Sequence, residues 1–302
     1  MKAWVLHGIN DLQLNNVPTL TPKEGEVLVQ VKAAGICSSD IPRVYGTGAY
    51  HYPIILGHEF SGVTPDGRRV GVFPLLPCHK CESCLAGYYE TCSNYSYIGS
   101  RQDGAFAEYV AVPEWNLRTL PDNITFEQAA LLEPAAVALH AVSQLDLQNV
   151  KSIVVVGKGT IGKFIARWLE IYGVTNIVVL GRNETLPDTQ YDACIEVVGS
   201  ADAFRRCIEL TKPNGQVILV GNPNRDFNID QKLYWQILRK QLTVKGIWNS
   251  SYPSDWKCVF ESVEKLQIDS FISHKYDFLE LNSAFDMMYH KREKHGKVVI
   301  TL

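Results

Sequence analysis

The alternation of apolar and polar residues changes character partway along the chain. Up to about residue 115, short apolar or alternating runs such as 27–32, 69–73 and 105–112 are separated by turn sequences, for example Pro65-Asp66-Gly67. Runs of this length bounded by turn residues are typical of β-strands. The N-terminal part is therefore predicted to be a loop-rich, all-β domain.

The second half of the chain has a different pattern. Apolar positions take helical spacing in 125–132 and 135–144, and from residue 153 they form short buried runs separated by amphipathic segments. This alternation predicts an α/β domain with a parallel sheet. Its predicted strands are 153–156, 176–180, 193–198, 216–221 and 242–247. The clearest helix follows the first strand, from Ile161 to Tyr172, and ends at Gly173.

The connection between the second and third of these strands is unusually short. Only a dozen residues, Pro187 among them, separate Leu180 from Ala193. A crossover with its helix takes roughly 10–12 residues before any further strand is added. We therefore expect a shortened sheet. The segment from about residue 271 ends in the apolar run 296–300, a predicted strand that could join either domain.

Composition narrows the functional classes. The chain has 302 residues, 46% hydrophobic and 20% charged, which is enough for two domains with separate cores. The formal net charge is −3 and the pI about 6.2, without a basic stripe, which argues against nucleic acid as a partner. We identify neither a secretory signal nor an apolar run that could cross a bilayer, and we expect a cytoplasmic protein with no membrane partner.

Four of the eight cysteines lie close together in the sequence, as Cys78, Cys81, Cys84 and Cys92. Thiolates at this spacing suit one tetrahedral zinc ion better than disulfides in a chain without an export signal. Because protein would fill all four corners, the predicted site is structural rather than catalytic. The alternative, unrelated buried thiols, fits the spacing less well.

A buried strand, a glycine-rich turn and a helix follow one another from residue 153. The turn has the pattern G-x-G-x-x-G and consists of Gly157, Lys158, Gly159, Thr160, Ile161 and Gly162. In this context the glycines allow a tight turn and a close approach of the backbone to a pyrophosphate at the helix N-terminus. The turn therefore predicts dinucleotide binding, with a turn that binds nothing as the alternative.

A third set of residues has the mixed donor types of a catalytic zinc site. Cys37, His58, Glu59 and Glu133 could supply sulfur, nitrogen and oxygen ligands and leave one position for a substrate oxygen. Taken singly, each has an ordinary explanation as a core or surface residue. They become candidates only together with the dinucleotide turn.

Several motifs, in this order along the chain, carry a family resemblance. They are GICSSD, GHEFSG, CHKCESCLAGYYETC, DGAFAEYV, EPAAVALHA, VVVGKGTIG and a closing GKVVI. On these motifs the chain resembles the zinc-dependent medium-chain alcohol and polyol dehydrogenases over nearly its whole length. The resemblance implies a GroES-like catalytic domain (1–148), a shortened Rossmann NAD(P)-binding domain (149–268) of about five parallel strands, and a C-terminal return to the catalytic domain (269–302). It also implies a homodimer or homotetramer.

The resemblance assigns two zinc ions to each chain. The four-cysteine loop would bind the structural ion, and Cys37 and His58, with Glu59, Glu133 or both, would bind the catalytic ion. Glu133 stands where alcohol dehydrogenases have a cysteine and polyol dehydrogenases a glutamate, which favours the polyol branch.

The implied reaction is hydride transfer between NAD(P)(H) and a secondary alcohol or ketone, with a sugar-alcohol phosphate as the expected substrate. Ser39 matches the hydroxyl that relays the alcohol proton, and Asp40 matches a carboxylate that orients His58. Arg43 lies six residues after Cys37 and is a candidate anchor for the substrate phosphate. A solvated surface arginine is the alternative.

The end of the second predicted strand bears on the choice of nicotinamide. Folds that select NAD place an acidic residue there, whereas strand 176–180 runs into Gly181 and Arg182. The missing carboxylate and the adjacent cation favour NADP(H) over NAD(H). Glu184 lies close enough to supply the acid, which would favour NAD(H).

Three other functions stay open. The chain could be a dehydrogenase of unphosphorylated polyols or of threonine, or an NADPH-dependent ketose-phosphate reductase. It could also bind cofactor or zinc without turnover, because a fold alone does not guarantee chemistry.

Overall fold

The computed structural model describes residues 1–182, 184–185, 188–223 and 225–302. The chain forms two compact units, one of Met1–Glu133 with Gln267–Leu302 and the other of Pro134–Leu266. The predicted boundary after residue 148 lies later than the observed one. The reason is that the helix beginning at Leu132 packs within the second unit, where the Ala135 carbonyl accepts a 2.9 Å hydrogen bond from Trp168 Nε1.

The N-terminal part of the first unit consists mainly of β-strands, as predicted. The strands are β1 (Lys2–Gly8), β2 (Asp11–Asn16), β3 (Glu26–Ile36), β4 (Ile54–Ile55), β5 (Glu59–Val63), β6 (Arg69–Val72), β7 (Leu75–Leu76), β8 (Ser96–Tyr97), β9 (Tyr109–Pro113) and β10 (Leu117–Thr119). The short helices are α1 (Asp40–Tyr45), α2 (Glu82–Leu85) and α3 (Phe126–Ala129). β2, β1 and β4 form a small sheet, β7 pairs with β8, and β3 is central to a larger sheet.

β3 is the strand that organises the first unit. Its inward-facing residues, among them Val29, Val31 and Ala33, are buried. β5 pairs antiparallel with it, and β9 pairs with its N-terminal half. The predicted strand 105–112 begins only at Tyr109, because the preceding residues bond instead to the turn at Leu56, where Phe106 N donates to the Leu56 carbonyl at 3.0 Å.

The second unit contains the predicted parallel sheet of five strands. Its elements are α4 (Leu132–Ser143), β11 (Ser152–Val156), α5 (Thr160–Ile171), β12 (Asn176–Leu180), β13 (Tyr191–Glu196), α6 (Ala201–Leu210), β14 (Thr211–Leu219), α7 (Gln231–Arg239), β15 (Thr243–Gly246) and α8 (Ser254–Leu266). The strand order is β12-β11-β13-β14-β15, and neighbours run parallel. The described residues between β12 and β13 form no helix or strand, as expected, while Pro187 lies outside the described residues.

The last segment of the chain belongs to the first unit. It consists of β16 (Ile272–Asp277), α9 (Leu281–His290) and β17 (Lys297–Thr301). β17 lies between β16 and β3, parallel to the former and antiparallel to the latter. Trp4 Nε1 donates a buried hydrogen bond to the Phe278 carbonyl at 2.8 Å, which ties this segment to β1. Among the described residues, no helix is long and apolar enough to span a membrane.

Candidate functional site

The four-cysteine loop brings its sulfur atoms together. The thiols of Cys78, Cys81, Cys84 and Cys92 all lie within 4.8 Å of one another, and the sulfurs of Cys81 and Cys92 are 3.8 Å apart. A tetrahedron with Zn–S bonds of about 2.3 Å has sulfurs about 3.8 Å apart. The donor set therefore fits a closed zinc site with no position for substrate.

Backbone amides around this loop favour thiolates. Hydrogen bonds from the backbone of Cys84 and Ser93 lower the pKa of Cys81 to about 6, and backbone bonds also lower the pKa of Cys78. Burial raises the pKa of Cys84 to about 12. A coordinated dication deprotonates a thiol outright, so a bound zinc would hold all four as thiolates.

Strand pairing assembles a second cluster in the same unit. Cys37 directly follows β3 and His58 directly precedes β5, and these strands pair with Gly35 opposite Glu59. Ligand atoms of Cys37, His58 and Glu59 lie within 4.8 Å of one another. A Cβ at Gly35 would collide with the Glu59 carboxylate, so a larger residue there would displace this candidate ligand.

Acidic and basic side chains both surround this cluster. Asp40, at the start of α1, is fully buried, and its Oδ1 lies 3.7 Å from Nδ1 of the buried His58. Although burial disfavours an imidazolium, the carboxylate of Asp40 and the sulfur of Cys37 raise the pKa of His58 to about 10. Burial raises the pKa of Asp40. The sulfur, nitrogen and oxygen donors of Cys37, His58 and Glu59 fit a divalent zinc ion.

Glu59 and Glu133, the two candidate carboxylate ligands, have different partners. Both oxygens of Glu59 accept hydrogen bonds from Lys297 Nζ of β17, at 2.7 and 2.6 Å, and both residues are buried. Glu133, in the first turn of α4, is outside the group of three and accepts a 3.0 Å hydrogen bond on Oε1 from the Tyr97 hydroxyl. Burial raises the pKa of Glu133.

Ser39 and Arg43 lie beside Cys37. Ser39 Oγ donates to Cys37 Sγ at 3.2 Å. Arg43 Nη1 donates to the carbonyl and hydroxyl oxygens of Ser39, at 2.8 and 3.0 Å, and lies 3.4 Å from Asp40 Oδ1. Nη1 of Arg43, the candidate phosphate anchor, is therefore already bonded to residues at the start of α1.

The glycine turn of the second unit has the conformation that a dinucleotide site requires. Gly157 has φ +128°, and a Cβ on Gly162 would collide with the Gly157 carbonyl oxygen. Gly159 has open space around it and precedes α5. Exposed backbone amides at this helix N-terminus can bind a pyrophosphate.

The carboxylate of Glu184 turns back toward this loop. Its Oε2 accepts a 2.9 Å hydrogen bond from Gly181 N, and its Oε1 lies 2.5 Å from Lys158 Nζ. These partners, the Gly181 amide first, lower the pKa of Glu184. Arg182 is exposed. The Glu184 carboxylate therefore lies beside the end of β12, where the strand itself runs into Gly181 and Arg182.

An all-β unit with a four-thiol loop and an S,N,O cluster, joined to a parallel sheet with a dinucleotide turn, defines a zinc-dependent dehydrogenase. Two family models match the chain: the alcohol dehydrogenase GroES-like domain at residues 23–122 and the zinc-binding dehydrogenase domain at residues 182–265. The chain belongs to the zinc-dependent medium-chain alcohol and polyol dehydrogenases.

Individual relatives agree with this assignment. Galactitol 1-phosphate 5-dehydrogenase of Escherichia coli K12 is 31% identical over 84% of this chain and 86% of the relative. The crystal structure of galactitol-1-phosphate dehydrogenase from Escherichia coli superposes with a TM-score of 0.91 at 30% identity, covering 100% of both chains. Sorbitol dehydrogenase of Halalkalibacterium halodurans is 29% identical over 100% of this chain and 99% of that protein.

Two residues of the metal cluster are missing from the sequence prediction. Lys297 lies within the GKVVI motif, but its pairing with Glu59 spans 238 residues and has no local signal. Tyr97 lies in a short strand, where a tyrosine indicates packing rather than a contact with a ligand. Only the tertiary fold brings Lys297 to Glu59 and Tyr97 to Glu133.

Proposed function

We propose that the protein transfers a hydride between a nicotinamide and the secondary alcohol, or matching ketone, of a sugar alcohol. The observation that carries this proposal is the cluster of half-buried Cys37 with buried His58 and Glu59, in which the Ser39 hydroxyl lies 3.2 Å from Cys37 Sγ. When bound there, zinc would supply Lewis acidity at the substrate oxygen and the nicotinamide would supply or accept the hydride. The four-cysteine loop would bind a second, structural zinc.

The protein's own residues hold and move the proton. Ser39 Oγ is placed to accept the proton of the alcohol while it donates its own hydroxyl proton to water, so that it stays neutral. Arg43 Nη1, 3.0 Å away, donates a hydrogen bond to that oxygen and holds it in position. Asp40 Oδ1 lies 3.7 Å from Nδ1 of His58, where its carboxylate could orient the imidazole ring when the metal is bound.

The finer proposal is that the substrate carries a phosphate that binds Arg43. Similarity to the galactitol 1-phosphate enzyme supports it. Because Nη1 is used by Ser39, the phosphate would meet the remaining guanidinium nitrogens. Because Arg43 Nη1 is already bonded to Ser39, an unphosphorylated polyol is a second candidate substrate. We also propose NADP(H) as the preferred cofactor on the basis of Arg182, whereas the contact of the Glu184 carboxylate with Gly181 N favours NAD(H) as the second candidate.

Two further features of the proposal concern assembly and location. The edge strand β15 is exposed along its whole length and supports self-association as a homodimer or homotetramer. None of the eight cysteines of the chain forms a disulfide, which supports a reducing, cytoplasmic setting.

The test is an assay of zinc-loaded protein with galactitol 1-phosphate, galactitol and sorbitol, each with NAD and NADP, together with the matching ketoses and reduced cofactors. Parent protein and Arg43→Lys and Arg43→Ala variants are compared. A phosphate anchor predicts a KM for the phosphate ester that rises about tenfold or more in Arg43→Ala, while the KM for unphosphorylated substrates stays near the parental value. Any loss of kcat through the contact of Arg43 with Ser39 should be equal for both kinds of substrate. No turnover of any polyol or ketose by fully metallated protein would contradict the proposal.

A further inference from the structure

Tyr97 lies between the four-cysteine loop and the metal cluster. It ends β8, five residues after Cys92, the last thiol of that loop. Its hydroxyl donates to Glu133 Oε1 at 3.0 Å. Its ring meets the His58 ring edge-on, with centroids 5.7 Å apart and planes at 64°. One half-buried side chain thus contacts both a candidate carboxylate ligand and the histidine ligand.

The donors that hold Glu59 and Glu133 differ in charge and in the number of oxygens they occupy. Lys297, only 4% exposed, binds both oxygens of Glu59 and neutralises its charge. Tyr97 is a neutral donor and binds one oxygen of Glu133. A carboxylate binds zinc through an ionised oxygen with a free lone pair. Tyr97 therefore adds no positive charge beside Glu133 and occupies only one of its two oxygens.

We propose that Tyr97 is a positioning residue whose hydroxyl orients Glu133 as the carboxylate ligand beside Cys37 and His58, while Lys297 retains Glu59. The inference rests on the proposed function, since it concerns the catalytic zinc of that reaction. Because β8 directly follows the four-cysteine loop, Tyr97 also makes the position of this ligand depend on the structural zinc. Residues that orient metal ligands in this way typically contribute about 10–100-fold to metal affinity or activity.

The experiment measures zinc release from Tyr97→Phe. This substitution keeps the ring against His58 and removes only the hydroxyl. Protein loaded with two zinc ions is challenged with EDTA, and release of the more labile ion is followed with a colorimetric indicator. We expect the labile zinc to leave about 10–100-fold faster than from the parent, with kcat reduced and the melting temperature nearly unchanged.

Tyr95→Phe is the matched control. Tyr95 lies on the same segment, is also half-buried, and its hydroxyl accepts a hydrogen bond from Arg101 at 3.4 Å instead of contacting a ligand. It should release zinc at the parental rate. If Tyr97→Phe releases zinc at the rate of Tyr95→Phe, the positioning role is wrong.

A double-mutant cycle with Glu133→Gln tests the route of the effect. If Tyr97 acts through Glu133, Tyr97→Phe should change the release rate little in the Glu133→Gln background. Full additivity would overturn the proposal. Cobalt substitution gives an independent readout, because the d–d absorption of the labile site should shift in Tyr97→Phe and not in Tyr95→Phe.

Different results would contradict the proposed function and the role of Tyr97. A parent that binds no labile zinc and turns over no polyol or ketose contradicts both the proposed function and the role of Tyr97. A parent with labile zinc and turnover, whose Tyr97→Phe variant behaves as the parent, contradicts only the role of Tyr97.

Discussion

Asp192 shows how one carboxylate can join two strands of the second unit. It accepts hydrogen bonds from the backbone amides of Lys151 and Ser152, each at 2.9 Å, and from Lys212 Nζ at 2.7 Å. Partial burial alone would raise its pKa, but Lys212 and these amides together lower the pKa to about 2. The folded state therefore favours the ionised form more strongly than the unfolded chain does.

We predict that Asp192→Asn lowers the free energy of unfolding at pH 7 by about 1–2 kcal/mol. Because the folded pKa lies below the unfolded value, the stabilisation is complete above about pH 4 and is lost as the pH falls toward 2. Calorimetric melting of parent and variant at a series of pH values measures the difference. Asp188→Asn, at an exposed residue, is the control and should melt as the parent does throughout.

The position of Glu184 also bears on cofactor choice. Its carboxylate stands at Gly181 N, where it would repel a 2′-phosphate and could bind a 2′-hydroxyl. Glu184→Gln should raise the ratio of kcat/KM for NADP to that for NAD about tenfold, equivalent to about 1.4 kcal/mol. Arg182→Ala should move the same ratio in the opposite direction. An unchanged ratio in Glu184→Gln would show that the side chain does not face the ribose.

Two glycines of the turn between β11 and α5 have different roles, one in packing and the other in binding. At Gly162 a side chain would meet backbone, whereas at Gly159 it would meet open space. Gly162→Ala should destabilise the second unit by about 1–3 kcal/mol and weaken dinucleotide binding as a consequence.

Gly159→Ala is the informative partner of that variant. Its backbone has φ −72°, which any residue can adopt. The free energy of unfolding of Gly159→Ala should therefore stay within about 0.5 kcal/mol of the parent's. Its affinity for dinucleotide should nevertheless fall, because the new methyl group would occupy the approach of the pyrophosphate. Melting without cofactor and fluorescence titration with cofactor measure the two effects. Parental affinity in Gly159→Ala would place the pyrophosphate elsewhere.

Elements with strong local periodicity could be predicted from the sequence. The five parallel strands and α5 fall within a few residues of their predicted places, because each is a buried apolar run next to a turn or an amphipathic stretch. Short strands such as β4 and β8 have two residues each and no periodicity of their own. Their existence depends on partners, as in the pairing of β4 with β1, and such pairing has no local signal.

The candidate site divides in the same way. Cys37, His58 and the glycine turn stand in motifs whose residue types are demanded by chemistry, so the sequence identifies them. The partners of Glu59 and Glu133 are ordinary lysine and tyrosine residues, and only the tertiary fold brings them within hydrogen-bond distance. Likewise, the contact of the Glu184 carboxylate with Gly181 N depends on the conformation of the loop, which composition does not determine.

At the scale of the whole molecule, the four-cysteine loop should affect more than its own ion. Cys81→Ser is expected to reduce the zinc content from two to one per chain and to lower the melting temperature. Because Tyr97 follows this loop, the remaining zinc should also be lost faster to EDTA. Metal analysis and release kinetics measure both. Cys258→Ser, outside either cluster, is the control and should retain two zinc ions.

Self-association is the second prediction for the whole molecule. β15 forms one edge of the parallel sheet, and Val244 on it is 37% exposed, near the exposed Trp248. Val244→Asp should shift the protein from an oligomer toward the 33.9 kDa monomer in sedimentation. Leu85→Asp changes a residue that is 78% exposed in the four-cysteine loop and should leave the oligomer intact. A monomeric parent would contradict the prediction.

The position of β17 has a consequence for biosynthesis. Lys297, which neutralises Glu59, is translated 238 residues later, after the whole second unit has been translated. Until then, part of one edge of β3 has no partner strand, and Glu59 has no lysine. The nascent first unit is thus an open sheet around an unbalanced carboxylate, with a strand edge exposed to chaperones or to other nascent chains. Completion of the metal cluster then depends on a strand that arrives last.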